Sequence, residues 1–174
     1  MRVKWMMTVL GFCLMILGID IFSKMYTYDH ITLLSRSSPL YPYGGIAVFK
    51  NWVGVDFSIN YAMNKGAAWG IFSSFQEYLL YARLLIMGGL LSYILLVKMS
   101  YLRKFSLFCV LTGAVGNVID FFLYGHVVDM FNFSFWGYSF PVFNVADSMI
   151  FFGVVCLLLQ SSLEKRFSFF AKII

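Results

Sequence analysis

Four long apolar runs, near 5–26, 76–97, 105–124 and 144–160, restrict most of what this chain can become. A helix needs about 20 apolar residues to cross a bilayer. Inside hydrocarbon every backbone N–H and C=O must be satisfied within the protein, which favours helices. The composition agrees, because 61% of the residues are hydrophobic and only 12% charged, against about 25% in a soluble domain. The expected fold class is an α-helical membrane protein with four transmembrane helices, forming one domain over 1–174. Aromatic residues make up 20% of the chain, enough to supply lipid-facing bulk and interfacial anchors.

The first run begins like a secretory leader, with Arg2 and Lys4 ahead of an apolar stretch. It ends in GIDIFSKMY rather than in a small-x-small cleavage site, so an uncleaved span is expected. Eight of the 13 Lys and Arg residues fall at the two termini and in the 98–104 loop. Four spans put these regions on one side, cytoplasmic by the positive-inside rule, and send 27–75 and 125–143 outward. The net charge of +5 therefore reads as topology, and no basic stripe with interleaved aromatics suggests a nucleic-acid partner. Cys13, Cys109 and Cys156 lie far apart in apolar runs and are expected to be buried thiols.

The outer segment 27–75 carries Pro39, Pro42, Gly44 and Gly45, which break helices. Residues 53–61 alternate, with Val53, Val55, Phe57, Ile59 and Tyr61 on one face and Gly54, Asp56, Ser58 and Asn60 on the other. That pattern predicts a half-buried strand with its apolar face inward. NKGAAWGIF follows, and its small residues permit close backbone approach. Asn64 and Gly66 either meet an extended ligand or simply form the turn into the second helix.

On this topology the polar residues that lipid excludes converge on the outer boundary. They are Asp20 and Lys24 at the end of the first span, Asn64 and Gly66 before the second, Asn117 and Asp120 in the third, Asp129 just beyond it, and Asn144 and Asp147 at the start of the fourth. Asp20 and Lys24 are four apart and share a helix face, either as a stabilising pair with Lys24 snorkelling or as support for the outer polar site. Asp129 and Asp147 form the best acid pair. Two carboxylates within reach of each other share a proton, so one acts as base and the other as acid at the same pH. No Ser or Cys has a His and an acid in a nucleophilic arrangement, and His30 and His126 make no zinc signature. His126 reads as an interfacial loop residue. On the residues alone, a hydrolase and an ion or proton carrier stand level, since intramembrane Asp also serves relays.

The ordered motifs narrow this. DIFSK (20–24), NKGAAW (64–69), GAVGNVID (113–120), GHVVDMFNF (125–133) and FPVFNVADSMI (140–150) together resemble the lipoprotein signal peptidases, the signal peptidase II family of bacterial aspartic proteases. The resemblance implies cleavage of prolipoproteins just before a diacylglyceryl-modified Cys in the bacterial inner membrane, without metal or cofactor. It implies a small extracytoplasmic β-cradle and a site that the antibiotic globomycin occupies. Membrane lipids are the expected surroundings, and a monomer is expected because four spans can form one and no G-x-x-x-G stands out as a dimer face. The resemblance assigns Asp129 and Asp147 to the catalytic dyad. It gives Asp20, Lys24, Asn64, Gly66, Asn117, Asp120 and Asn144 supporting or substrate-binding places. One departure stands out. The family's N-x-x-D-R reads Asn117-Val118-Ile119-Asp120-Phe121 here, so a cation is missing, and Arg83 or Lys65 is expected to supply charge near the site. An inactive, lipoprotein-binding relative is the remaining alternative.

Overall fold

The computed structural model describes residues 2–34, 41–66 and 73–170. Four helices form: α1 (Arg2–His30), α2 (Gln76–Leu96), α3 (Tyr101–Tyr124) and α4 (Val145–Phe170). Each contains a stretch long and apolar enough to cross a membrane: Val3–His30, Gln76–Leu96, Tyr101–Tyr124 and Val145–Glu164. These match the expected runs, with α1 running to His30, α3 starting four residues early and α4 running ten residues further, to Phe170. Ser100 causes the early start, because its Oγ accepts the Arg103 amide at 3.2 Å and caps the helix.

Helix α3 is the hub and packs against the other three helices. It lies closest to α4 because glycines face the contact. A Cβ on Gly113 would stand 2.2 Å from the Ala146 carbonyl oxygen, and one on Gly153 would stand 2.6 Å from that of Ser106. Close backbone approach through small residues is how membrane helices gain packing where burial from water gives little. A core of Val9, Cys13, Ile94, Leu107 and Phe108 fills the opposite end of the bundle from the sheet. Cys156, expected to be buried, is only half-buried.

One four-stranded antiparallel sheet, in the order β1 (Ile46–Trp52), β2 (Val55–Asn64), β3 (Val127–Phe135), β4 (Tyr138–Ser139), is built from the two polar segments. The expected strand is thus β2, starting two residues and ending three residues later than expected, and alternation did not reveal the three other strands of the sheet. Its facing is also corrected. Ser58 and Asn60 are buried, whereas Phe57 and Ile59 are only half-buried. The cause is a polar network: Ser58 Oγ donates to Asn60 Oδ1 at 2.7 Å, Asn132 Nδ2 reaches the same oxygen at 3.2 Å, and Asn60 Nδ2 donates to the Pro42 carbonyl at 2.8 Å. Satisfied this way, polar groups tolerate burial. The other face carries stacked aromatics, with Phe57 and Phe133 4.3 Å apart.

Two local features aim this sheet at the helix ends. Gly125 ends α3 in the left-handed region (φ 72°), which turns the chain directly into β3. Strand β2 then carries one extra residue between Ile59, opposite Phe131, and Ala62, opposite Asp129. Such a bulge re-aims side chains, and here Asn64 arrives beside Asp129.

Candidate active site

Asp147 is fixed by the start of its own helix. Asn144 Oδ1 accepts the Asp147 amide at 2.8 Å, and Asp147 Oδ2 accepts the Asn144 amide at 3.2 Å. This is a reciprocal capping box at the N-terminus of α4, where the helix dipole also favours a carboxylate. Asn117 Nδ2, from α3, donates to the other Asp147 oxygen at 2.8 Å.

Asp129 reaches the same place from β3. Asn144 Nδ2 donates to its Oδ1 at 2.7 Å and Asn64 Nδ2 to its Oδ2 at 3.1 Å. Asn144 therefore touches both acids, one through its side-chain amide and one through its backbone. The acids differ in setting. Asp129 is 2% exposed, whereas Asp147 is half-buried and lines a cavity. Burial, and next the charge of Asp147, push the Asp129 carboxyl up to about 8, against the opposing pull of Asn64, Lys24 and Asn144.

Beneath the two acids lies a buried ion cluster. Lys24 does not snorkel: it is fully buried, 2.7 Å from Asp20 Oδ2, 2.9 Å from Asp120 Oδ2 and 3.0 Å from Asn117 Oδ1. Each carboxylate also grips backbone next to a site acid. Asp20 Oδ1 accepts the Ala146 amide at 2.8 Å, and Asp120 Oδ2 accepts the Val128 amide at 3.1 Å. One lysine thereby ties the residue before Asp147 to the residue before Asp129. Gly116 leaves the room, since a Cβ there would lie 2.6 Å from Asp20 Oδ2.

The cavity beside Asp147 has a volume of about 690 Å³. Asn64, Gly66, Arg83, Asn117 and Asp147 line its polar end. Its other walls are Phe140, Phe143 and the α4 face of Ile150, Phe151 and Val154. These last three follow Asp147 by three, four and seven residues, one stripe of the helix running from the acid toward the apolar span.

All nine sequence-predicted residues therefore meet at one end of the bundle. Asp120 takes its cation from Lys24, and of the two cations expected near the site Lys65 is exposed. Arg83 does lie at the cavity, where Nη2 donates to the Gly66 carbonyl at 2.8 Å. His126 does lie in the short connection between α3 and β3, but it is buried rather than exposed at the interface, with Nε2 2.7 Å from Tyr61 Oη and burial holding its imidazole below the usual value. The rest of NKGAAW, residues 67–69, lies outside the described residues.

Comparisons with known proteins identify the family. The profile of a family described as "Signal peptidase (SPase) II" matches residues 12–163. The chain belongs to the signal peptidase II family. The lipoprotein signal peptidase of Chlamydia pneumoniae is 38% identical over 62% of this chain and 65% of its own length. This chain thus spans slightly less than two thirds of that relative. The enzyme of that name from Synechocystis sp. is 36% identical over 76% of this chain and 80% of its own. That from Chlamydia trachomatis serovar D is 33% identical over 83% and 85%. A bacterial membrane enzyme solved by the in meso method at 2.3 Å resolution shares the fold. Its TM-score is 0.76 at 24% identity, over 91% of this chain and 89% of that one.

Phe121 is the position at which the sequence departs from the N-x-x-D-R that it otherwise resembles. Its ring is half-buried and meets Phe122 edge-on at 5.9 Å. The capping role of Asn144 and Asp147 went unread in the sequence, although N-x-x-D ahead of an apolar run is its signal. The link from Arg83 to Gly66 has no local sequence signal, because 17 residues separate the partners.

Proposed function

We propose that this protein is an aspartic endopeptidase that removes the signal peptide from diacylglyceryl-modified prolipoproteins, cutting just before the lipidated cysteine. The observation that carries the reading is the convergence of Asp129 and Asp147 on Asn144 at the head of a cleft polar at one end and apolar at the other. A lipidated peptide has that same division, with amides beside acyl chains.

In this reading the pair shares one proton. Asp129, the more buried acid, keeps it, and Asp147 faces the cavity as base. Water attacks the scissile carbonyl as Asp147 takes its proton, and the tetrahedral intermediate collapses as Asp129 protonates the departing amine. The products are the signal peptide carboxylate and a free α-amino group on the lipidated cysteine. Asn117, Asn144 and Asn64 hold the acids in place, while the Asp20–Lys24–Asp120 cluster holds the segments that carry them.

The termini lie in the cytoplasm and the site at the outer face, following the distribution of Lys and Arg. A diacylglyceryl group seated in the outer leaflet then holds the scissile bond at the depth of the acids. The test is to incubate purified protein with diacylglyceryl-modified precursor and with the same precursor left unlipidated. Mass spectrometry should find a single cut before the lipidated cysteine and none in the unlipidated chain. Equal cleavage of both, or no cleavage of either, contradicts the reading.

A further inference from the structure

Arg83 sits seven residues beyond the start of α2, inside a segment apolar enough to span a membrane. A guanidinium in such a segment is costly unless it finds partners. Instead of meeting a carboxylate, it turns into the cavity. The carboxylate pairs among the described residues go to Lys24 and Arg103. Among the described residues one Arg83 N–H finds a partner, Nη2 donating to the Gly66 carbonyl at 2.8 Å. A guanidinium carries five N–H donors in a fixed fork.

That single bond leads to the site. The Gly66 amide donates to Asn64 Oδ1 at 3.0 Å, and Asn64 Nδ2 donates to Asp129 Oδ2 at 3.1 Å. Arg83 therefore ends a chain of hydrogen bonds that orients Asp129. Its donors without a partner among the described residues share the polar end of the cavity with Asp147, Asn64 and Asn117. Lys65, the neighbouring cation, is exposed.

We propose that Arg83 is the substrate-reading cation of this protein: it anchors Gly66 with one N–H and offers the others to carbonyl oxygens of the bound lipidated peptide. Carbonyl is the ligand chemistry indicated, because the fork donates and does not accept, and a carboxylate or phosphate beside Asp147 would meet its repulsion. Two sources supply such oxygens, the extended main chain beside the scissile bond and the acyl esters of the glyceryl group. The inference rests on the peptidase reading for the identity of its ligand.

The test compares wild type, Arg83→Lys and Arg83→Gln for both turnover and binding, the latter measured on an Asp129→Asn background with fluorescent lipidated precursor. Losing charge-assisted bonds weakens binding by about tenfold to a hundredfold. Arg83→Gln is expected to raise KM and Kd by that factor with a smaller fall in kcat, and Arg83→Lys to recover part of it. The Tm in detergent should stay near wild type. A precursor carrying ether-linked chains, which lacks the ester carbonyls, separates the sources: an undiminished effect assigns the peptide backbone, and a vanished effect the esters. KM and Kd within twofold of wild type in Arg83→Gln overturn the proposal, as does a loss confined to kcat or to Tm. Weaker binding by Arg83→Gln with no cleavage by wild type leaves the proposal standing and removes the peptidase reading instead.

Discussion

At the scale of single residues, two buried ionisable groups carry opposite duties. Lys24 is fully buried between Asp20 and Asp120, so its removal leaves two carboxylates with no cation. Breaking a buried pair in this way costs about 3–5 kcal/mol. Lys24→Met is expected to lower unfolding stability in detergent by about that amount and to lose activity with it. Asp129 is the reverse case. Its carboxyl is raised from 3.8 to about 8, first by burial and then by Asp147, so the folded protein holds this proton more tightly than the unfolded chain does. Its contribution to stability is then whole below about pH 4 and lost as pH rises through about 8. Tm followed against pH should fall across that window, and Asp129→Asn should flatten the fall. Cleavage by the wild type should decline above about pH 8, as the shared proton leaves.

At the scale of elements, the sequence gives up its helices more readily than its sheet. Helices α1 to α4 are legible because hydrocarbon demands long apolar runs, and each expected run became one. Strand β3 was not legible: Val127, Val128, Asp129 and Met130 are all buried, so both faces are covered and no alternation marks it. Strand β2 misled in its facing because Ser58 and Asn60 satisfy each other with Asn132 rather than with water. The site residues were legible individually, since charge is rare in such sequence. Their contacts were not, because Asp20 meets Ala146 and Lys24 meets Asn117 across 126 and 93 residues. The α3–α4 seam gives a direct test. A methyl group at Gly113 would stand 2.2 Å from the Ala146 carbonyl oxygen, one residue before Asp147. Gly113→Ala should cost about 1–3 kcal/mol, read by thermal unfolding, and should lower kcat more than Gly11→Ala, where no atom lies within 4 Å.

At the scale of the whole molecule, the bundle and the sheet divide the work. The helices supply Asp147, Asn117 and the Lys24 cluster from within the membrane, and the sheet brings Asp129 and Asn64 onto them from one end. The proposed orientation, with cytoplasmic termini and the sheet outside, is checked by labelling. A cysteine placed at Lys50 should react with an impermeant thiol reagent on intact spheroplasts, and one at Arg103 only after lysis; the opposite pattern would invert the topology. Under the proposed function, Asp129 and Asp147 together perform the cleavage. The most direct measurement of this central claim is turnover of a diacylglyceryl-modified precursor by wild type, Asp129→Asn and Asp147→Asn, each verified as inserted and folded. Both variants should lose activity by at least about a thousandfold while still binding the precursor, and either one cleaving at a rate near that of the wild type would contradict the account.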